Sequence, residues 1–301
     1  MNHAAQALIE HRPDHDFCIC IDSDGCVFDT MEVKHKECFI PNTIKYWGLQ
    51  AISKYAREAA EFVNLYSKWR GINRFPALTM MLDLLASRER VRERGVELPE
   101  VPNLRRWIEE ETQLGNPALE AYCREHDHPD MHRALRWSTG VNDAVADMVH
   151  GVPPFPGVEL SLQNASGRAD MLVCSATPHD ALQREWEEHG IARYLFTIAG
   201  QEQGAKREHI ELATDGRYRT GRVLMIGDAP GDLNAAKAND ALFYPIMPGD
   251  EESSWQRFHE EALDRFLDER YAGAFEQELT EDFLKRLSDT PPWNSKHNGA
   301  S

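Results

Sequence analysis

The chain has 301 residues, and several things are missing from them. No stretch approaches the roughly 18 consecutive apolar residues of a membrane span, so none is expected. The opening residues, MNHAAQALIEHRPDHD, lack the cationic-then-apolar order of a secretory signal. The six cysteines, Cys18, Cys20, Cys26, Cys38, Cys123 and Cys174, form no Cys-x-x-Cys pair. That scatter speaks against a disulfide scaffold and for a reducing cytoplasm. Positive charge is scarce too: 33 Lys and Arg face 50 Asp and Glu, for a net charge of -17. Such a field repels phosphate backbones, so nucleic acid is not an expected partner. It leaves room for a small anion in one locally basic pocket. No internal repeat is present.

What is there reads as two kinds of chain. Phe17–Ile21 is a short apolar run ending in Asp22-Ser-Asp-Gly25, the pattern of a buried strand and its turn. Similar runs recur at 171–174, 194–198, 223–226 and 242–246. Helix-like stretches at 179–189, 204–214 and 231–239 separate them. This alternation predicts an α/β fold, a Rossmann-like parallel sheet with helices on both faces. Residues 31–152 break the rhythm and read as helix throughout. The Arg and Glu run at 88–94 reads as a solvated helix face. Pro and Gly gather at 151–157, a linker signal. The expected organisation is an α/β core at 1–30 and 153–250, with an all-helical cap at 31–152 inserted after the first strand. Two C-terminal helices at 251–288 are expected to pack on the core, and 289–301 to form a disordered tail.

In such a sheet, ligands bind at the carboxyl ends of the strands. Asp22, Asp24, Ser175, Asp228 and Asp232 fall there, and Lys206 opens a following helix. Clustered carboxylates repel unless a cation sits among them. Hard oxygen ligands favour Mg²⁺, which also takes phosphate oxygens. With one lysine and one hydroxyl added, the set has the composition of a phosphoryl-transfer site. An EF-hand does not fit, since Cys26, Val27 and Val33 fall at loop positions five, six and twelve. The His126-Asp-His128-Pro-Asp130-Met-His132 segment has metal-ligand residue types but reads better as a surface turn.

The order of these segments resembles the haloacid-dehalogenase-like (HAD) hydrolase superfamily with a helical cap, in its phosphatase and phosphomutase branch. Asp22-Ser-Asp-Gly-Cys-Val-Phe-Asp29-Thr30 carries the first motif and Val173-Cys-Ser175-Ala-Thr177-Pro178 the second. The third is Gly204-Ala-Lys206-Arg207, where Arg207 competes with Lys206 for the cationic role. The fourth is Val223-Leu-Met-Ile-Gly-Asp228-Ala-Pro-Gly-Asp232. Trp69-Arg-Gly71-Ile-Asn-Arg74 resembles the specificity loop of sugar-phosphate members, with a plain inter-helix turn as its bland counterpart.

The resemblance implies a Mg²⁺-dependent phosphatase acting on a small phosphorylated metabolite. In it Asp22 is the nucleophile, forming an aspartyl-phosphate, and Asp24 the general acid and base. Mg²⁺ is implied on Asp22, Asp24 and Asp228, with Asp232 supporting from behind. Ser175, Ala176 and Lys206 are implied on the phosphoryl group, and Gly71 and Arg74 on the rest of the substrate. The acid at position 24 favours phosphatase over dehalogenase chemistry. A sugar phosphomutase uses the same groups and stays open, as does a non-enzymatic phospho-acceptor or scaffold. A monomer or homodimer is expected, with no membrane partner.

Overall fold

The structure, a computed structural model, describes residues 3–294. The chain forms two compact units, one of Met1–Met31 with Gly151–Leu287, the other of Glu32–His150 with Ser288–Ser301.

The first unit holds a five-stranded sheet: β1 (Cys18–Ile21), β2 (Asp170–Cys174), β3 (Thr197–Ala199), β4 (Val223–Gly227) and β5 (Leu242–Pro245). Their spatial order is β3-β2-β1-β4-β5, and every pairing is parallel. This is the Rossmann-like α/β architecture the alternating runs predict, with the sheet flanked by helices. All residues of β1, β2 and β4 are buried, which explains why they read as continuous apolar runs and not as alternating ones. The 194–198 run differs from expectation. Only Thr197–Ala199 pairs as a strand, while Ala192–Tyr194 is a 3₁₀ turn. Tyr194, Leu195 and Phe196 owe their apolar character to packing against the core, not to strand pairing.

The N-terminal segment His3–Glu10 is a helix, and Leu8 is buried in the sheet's core. At the other edge the C-terminal helices close over β5. Glu276 on the Ala274–Arg286 helix accepts from the Phe243 backbone N–H at 2.9 Å. Tyr271 Oη donates to the Phe243 carbonyl at 2.7 Å and Tyr244 Oη to the Ser254 carbonyl at 2.6 Å. An edge strand left bare would offer its ladder to another chain, and the two bonds to Phe243 occupy part of it.

The second unit is helical. Its longest helices are Ser53–Asn64, Arg74–Ser87 and Pro129–Met148. Phe75 sits edge-on to Trp107 and Trp137, with centroids at 5.1 and 6.0 Å, and Trp137 is edge-on to Trp47 at 6.3 Å. Asp130 is no ligand candidate here. It caps the Pro102–Glu110 helix, accepting from the N–H groups of Asn103 (2.9 Å) and Leu104 (3.2 Å).

Two expectations change. The 88–94 run is not uniformly solvated: Arg88 is ion-paired with Glu58 and lies 4.5 and 4.4 Å from the rings of Tyr55 and Trp293. A guanidinium held between aromatic faces gains from their quadrupoles part of what it loses in hydration. Trp293 also meets Phe62 edge-on at 5.8 Å, so the start of the expected tail is packed. The rest of that tail, 295–301, lies outside the described residues. All six cysteines are free thiols. Among the described residues, no helix is long and apolar enough to cross a membrane.

Candidate active site

The sheet order explains how residues far apart in sequence meet. β1 lies between β2 and β4, with Ile21 opposite both Val173 and Ile226. Asp22, Ser175 and Asp228 each follow one of these three neighbouring strands. Asp22 is tied to β4 by its N–H, which donates to the Ile226 carbonyl at 2.9 Å. Ser175 is likewise tied to β3, donating from its N–H to the Ala199 carbonyl at 3.0 Å.

At this end three buried carboxylates converge. Oxygens of Asp22, Asp228 and Asp232 all lie within 4.8 Å of one another. Lys206 enters from the Lys206–Thr214 helix and bridges two of them, with Nζ 2.7 Å from Asp22 Oδ2 and 2.6 Å from Asp232 Oδ1. Arg207 is exposed, and its backbone carbonyl accepts from Asn239 at 3.1 Å. The geometry therefore brings Lys206, not Arg207, to the cluster.

Asp232 has a second bond: its Oδ2 accepts from the Ala229 N–H at 3.0 Å. Gly227 makes this possible. A Cβ there would lie 2.3 Å from Asp232 Cγ, so only glycine lets the carboxylate fold back against the strand end.

The electrostatics follow from that crowding. Burial pushes the Asp22 carboxyl well above its ordinary value; Lys206 pulls it back, and Asp232 and Asp228 push it further up. Burial alone would lower Lys206, but Asp22 and Asp232 outweigh it and hold the ammonium above its usual range. Lys206 thus stays charged, yet one ammonium faces three carboxylates. An oxygen-only, buried and net anionic donor set fits a small hard cation such as Mg²⁺. The carboxylates that meet are Asp22, Asp228 and Asp232. The Asp24 side chain, by contrast, is occupied elsewhere.

Asp24 accepts from two hydroxyls, Thr30 Oγ1 on Oδ1 and Thr177 Oγ1 on Oδ2, the latter at 2.6 Å. Both threonines stand in the motif segments, yet the motifs alone give neither a role. The one signal in the sequence is a hydroxyl residue beside an acid motif. The turn after Asp24 is tight. Gly25, at φ 73°, donates its N–H to the Phe28 carbonyl at 2.8 Å, and Trp255 Nε1 donates to the Cys26 carbonyl at 2.7 Å. Ser175 is buried, with its Oγ accepting from the Thr177 N–H at 3.2 Å, and Ala176 beside it is exposed.

Gly71 and Arg74 lie in the helical unit. Gly71 adopts φ 77° in the turn before the Arg74–Ser87 helix, which Asn73 caps through the Phe75 N–H at 3.0 Å. Arg74 Nη1 donates to Asn142 Oδ1 (2.7 Å), Ser138 Oγ (3.0 Å) and the Ser138 carbonyl (3.2 Å). Its guanidinium lies 4.9 Å from the Phe39 ring. Burial pulls Arg74 down to about 10, which leaves it charged at neutral pH.

No protein-family model matches the chain, and no curated protein sequence does. Solved structures do resemble it, and the haloacid-dehalogenase-like class read from the motifs recurs among them. A haloacid-dehalogenase-like hydrolase of Streptococcus pneumoniae is 14% identical, covering 81% of this chain and 91% of its own, with a TM-score of 0.44. A protein of Lactobacillus delbrueckii subsp. bulgaricus, provisionally assigned as a phosphoglycolate phosphatase, is 14% identical over 86% and 99%, with a TM-score of 0.48. A provisionally assigned β-phosphoglucomutase of Bacteroides vulgatus is 13% identical over 96% and 100%, with a TM-score of 0.37. At these identities the likeness is one of fold.

Proposed function

We propose that the protein is a Mg²⁺-dependent phosphatase of the HAD type, which releases phosphate from a small phosphorylated metabolite through an aspartyl-phosphate. The reading is carried by one observation: Lys206 Nζ sits between Asp22 and Asp232, at 2.7 and 2.6 Å, inside a buried cluster of three carboxylates. A structural ion pair has no need of two extra anions, because burying unpaired charge is costly.

Asp22 Oδ1 or Oδ2 attacks phosphorus in line, the ester oxygen leaves, and water later cleaves the acyl phosphate. Lys206 neutralises charge on the attacking carboxylate and on the transferring oxygens, while Asp232 keeps its Nζ at the cluster. Ser175 Oγ and the N–H at Ala176 supply donors for the phosphoryl oxygens. Asp24 gives a proton to the leaving oxygen and takes one from water; the hydroxyls of Thr30 and Thr177 aim its carboxylate. Asp22 and Asp228, with the Asp24 main-chain carbonyl, would hold Mg²⁺, which supplies charge neutralisation between nucleophile and phosphate. A cytoplasmic location is part of the same proposal.

The test is release of inorganic phosphate from a panel of phosphorylated metabolites and para-nitrophenyl phosphate, with Mg²⁺. Isomer formation is followed in parallel. Phosphate release that EDTA stops supports the reading. Isomerisation without net release would make the protein a mutase, and full turnover without metal would overturn the mechanism.

A further inference from the structure

Between the two aspartates of the first motif stands Ser23, a fully buried polar residue that the mechanism above does not use. Its hydroxyl meets two consecutive residues of the His179–Glu188 helix. Trp186 Nε1 lies at 3.0 Å and Glu185 Oε2 at 3.2 Å. The direction of this relay is fixed by chemistry. An indole N–H can only donate, so Ser23 Oγ accepts from Trp186 and must give its single proton to Glu185. The hydroxyl's single proton is then committed to Glu185 and one of its lone pairs to Trp186, which sets the orientation of the side chain.

The main chain of Ser23 is fully engaged as well. Its N–H donates to Asp22 Oδ1 at 2.8 Å. Its carbonyl accepts from the N–H groups of Val27 (2.9 Å), Phe28 (3.2 Å) and Cys26 (3.3 Å). Rotating Ser23 would therefore move the Asp22 carboxylate on one side and the peptide leading to Asp24 on the other. The segment that supplies Glu185 and Trp186 also supplies Thr177, whose hydroxyl holds Asp24 at 2.6 Å. One stretch of chain, 177–186, thus grips both flanks of the two aspartates.

We infer that Glu185 and Trp186 are positioning residues: acting through the Ser23 hydroxyl, they set the aim of Asp22 and Asp24. The inference rests on the reading of these aspartates as nucleophile and acid. An apolar residue at 23 would fill the same space at no desolvation cost, so a buried hydroxyl that both donates and accepts is expected where orientation matters.

The experiment compares Ser23→Ala, Trp186→Phe, Glu185→Ala and Glu185→Gln with wild type, using para-nitrophenyl phosphate and Mg²⁺. Groups that orient catalytic or ligating side chains typically change activity by about tenfold or more. Ser23→Ala and Glu185→Ala should lower kcat by about tenfold with KM nearly unchanged, and Trp186→Phe by somewhat less. Glu185→Gln should recover most of the loss, because the amide oxygen still accepts from Ser23. Wild-type kcat in Ser23→Ala overturns the inference. So does a lowered melting temperature with unchanged kcat, or equal losses in Glu185→Ala and Glu185→Gln. If wild type releases phosphate from no ester, the functional reading fails on its own. Positioning is then read from crystal structures of wild type and Ser23→Ala, where an unmoved Asp22 carboxylate overturns it.

Discussion

Both units of this chain bury charge, and they do so in opposite ways. In the α/β unit, Asp22, Asp228, Asp232 and Lys206 are crowded together, three acidic groups around one ammonium. In the helical unit, Arg74 makes no ion pair among the described residues; its Nη1 donates to Asn142 and Ser138, and a phenyl ring lies against its face. Burial and hydrogen bonding are common to both. What differs is whether the local electrostatics are resolved. Around Arg74 the polar partners are neutral. Around Asp22 carboxylates repel one another, which is a cost that folding alone gives no reason to accept.

The largest effect should come from removing the nucleophile. Asp22→Asn should lower phosphate release by more than about 10³-fold, because an amide cannot form the acyl phosphate. Melting should stay within a few degrees of wild type, since the isosteric amide relieves repulsion from Asp232 and Asp228 while weakening the Lys206 pair. An active Asp22→Asn enzyme would make the crowded cluster structural and erase the contrast.

Removing Lys206 sharpens the same comparison through stability. Lys206→Ala leaves Asp22 and Asp232 buried without their ammonium, and breaking a buried pair from one side typically costs 3–5 kcal/mol. Chemical unfolding should report about 3 kcal/mol at neutral pH. Added Mg²⁺ should restore part of it in this variant and raise the melting temperature of wild type, a readout independent of turnover. A loss under about 1 kcal/mol would mean that the carboxylates are not charged as described.

Arg74 is the matching test in the helical unit. Arg74→Ala should cost about 1–2 kcal/mol in stability, the worth of hydrogen bonds from a charged group to neutral acceptors. Turnover of para-nitrophenyl phosphate should be unchanged. If the best metabolite substrate also keeps its KM, Arg74 is an interior residue. A selective rise in that KM would return it to the specificity role its loop motif suggests.

How far these features can be read without a structure depends on the distance over which a cause acts. The apolar runs at 18–21, 170–174 and 223–227 show as strands because they are buried on both faces, a property each segment carries alone. That Asp22 and Asp228 meet follows from strand ends and a doubly wound order, so a sequence suffices to suspect it. The supporting bonds are another matter. Trp186 reads as a core filler, and nothing local says that its indole N–H reaches Ser23, 163 residues away. Thr30 and Thr177 stand in the motifs, but their aim at Asp24 is a matter of rotamers. Arg74 sits in a convincing loop pattern, and only the position of Ser138 and Asn142, on a helix some 64 residues on, shows where its donors go. The apolar stretch at 194–198 misleads because packing and strand pairing demand the same residue types.

The smallest effect tests whether the contrast belongs to the units or to the crowding. Glu276 is a partly buried acid in the α/β unit with a neutral partner, the Phe243 N–H at 2.9 Å. Burial raises its carboxyl above the ordinary value, while the Phe243 bond and Lys237 lower it. An acid raised in the folded state binds its proton more tightly there than in the unfolded chain. Below the unfolded value, near 4.3, both states are protonated and the group costs nothing. As pH rises past that value toward the folded one, stability falls, and above the folded value the full cost remains. Glu276→Gln keeps an oxygen for Phe243 and removes the charge. It should therefore stabilise the protein at pH 7 by less than about 1 kcal/mol, since the site is partly solvated, and the gain should vanish below about pH 4. Urea unfolding of both proteins at pH 4 and 7 measures this. Turnover should not respond, as Glu276 covers the outer edge of β5. A stabilisation that persists at pH 4 would assign the effect to packing. A loss of turnover would show that charge in this unit is catalytic even where it is not crowded.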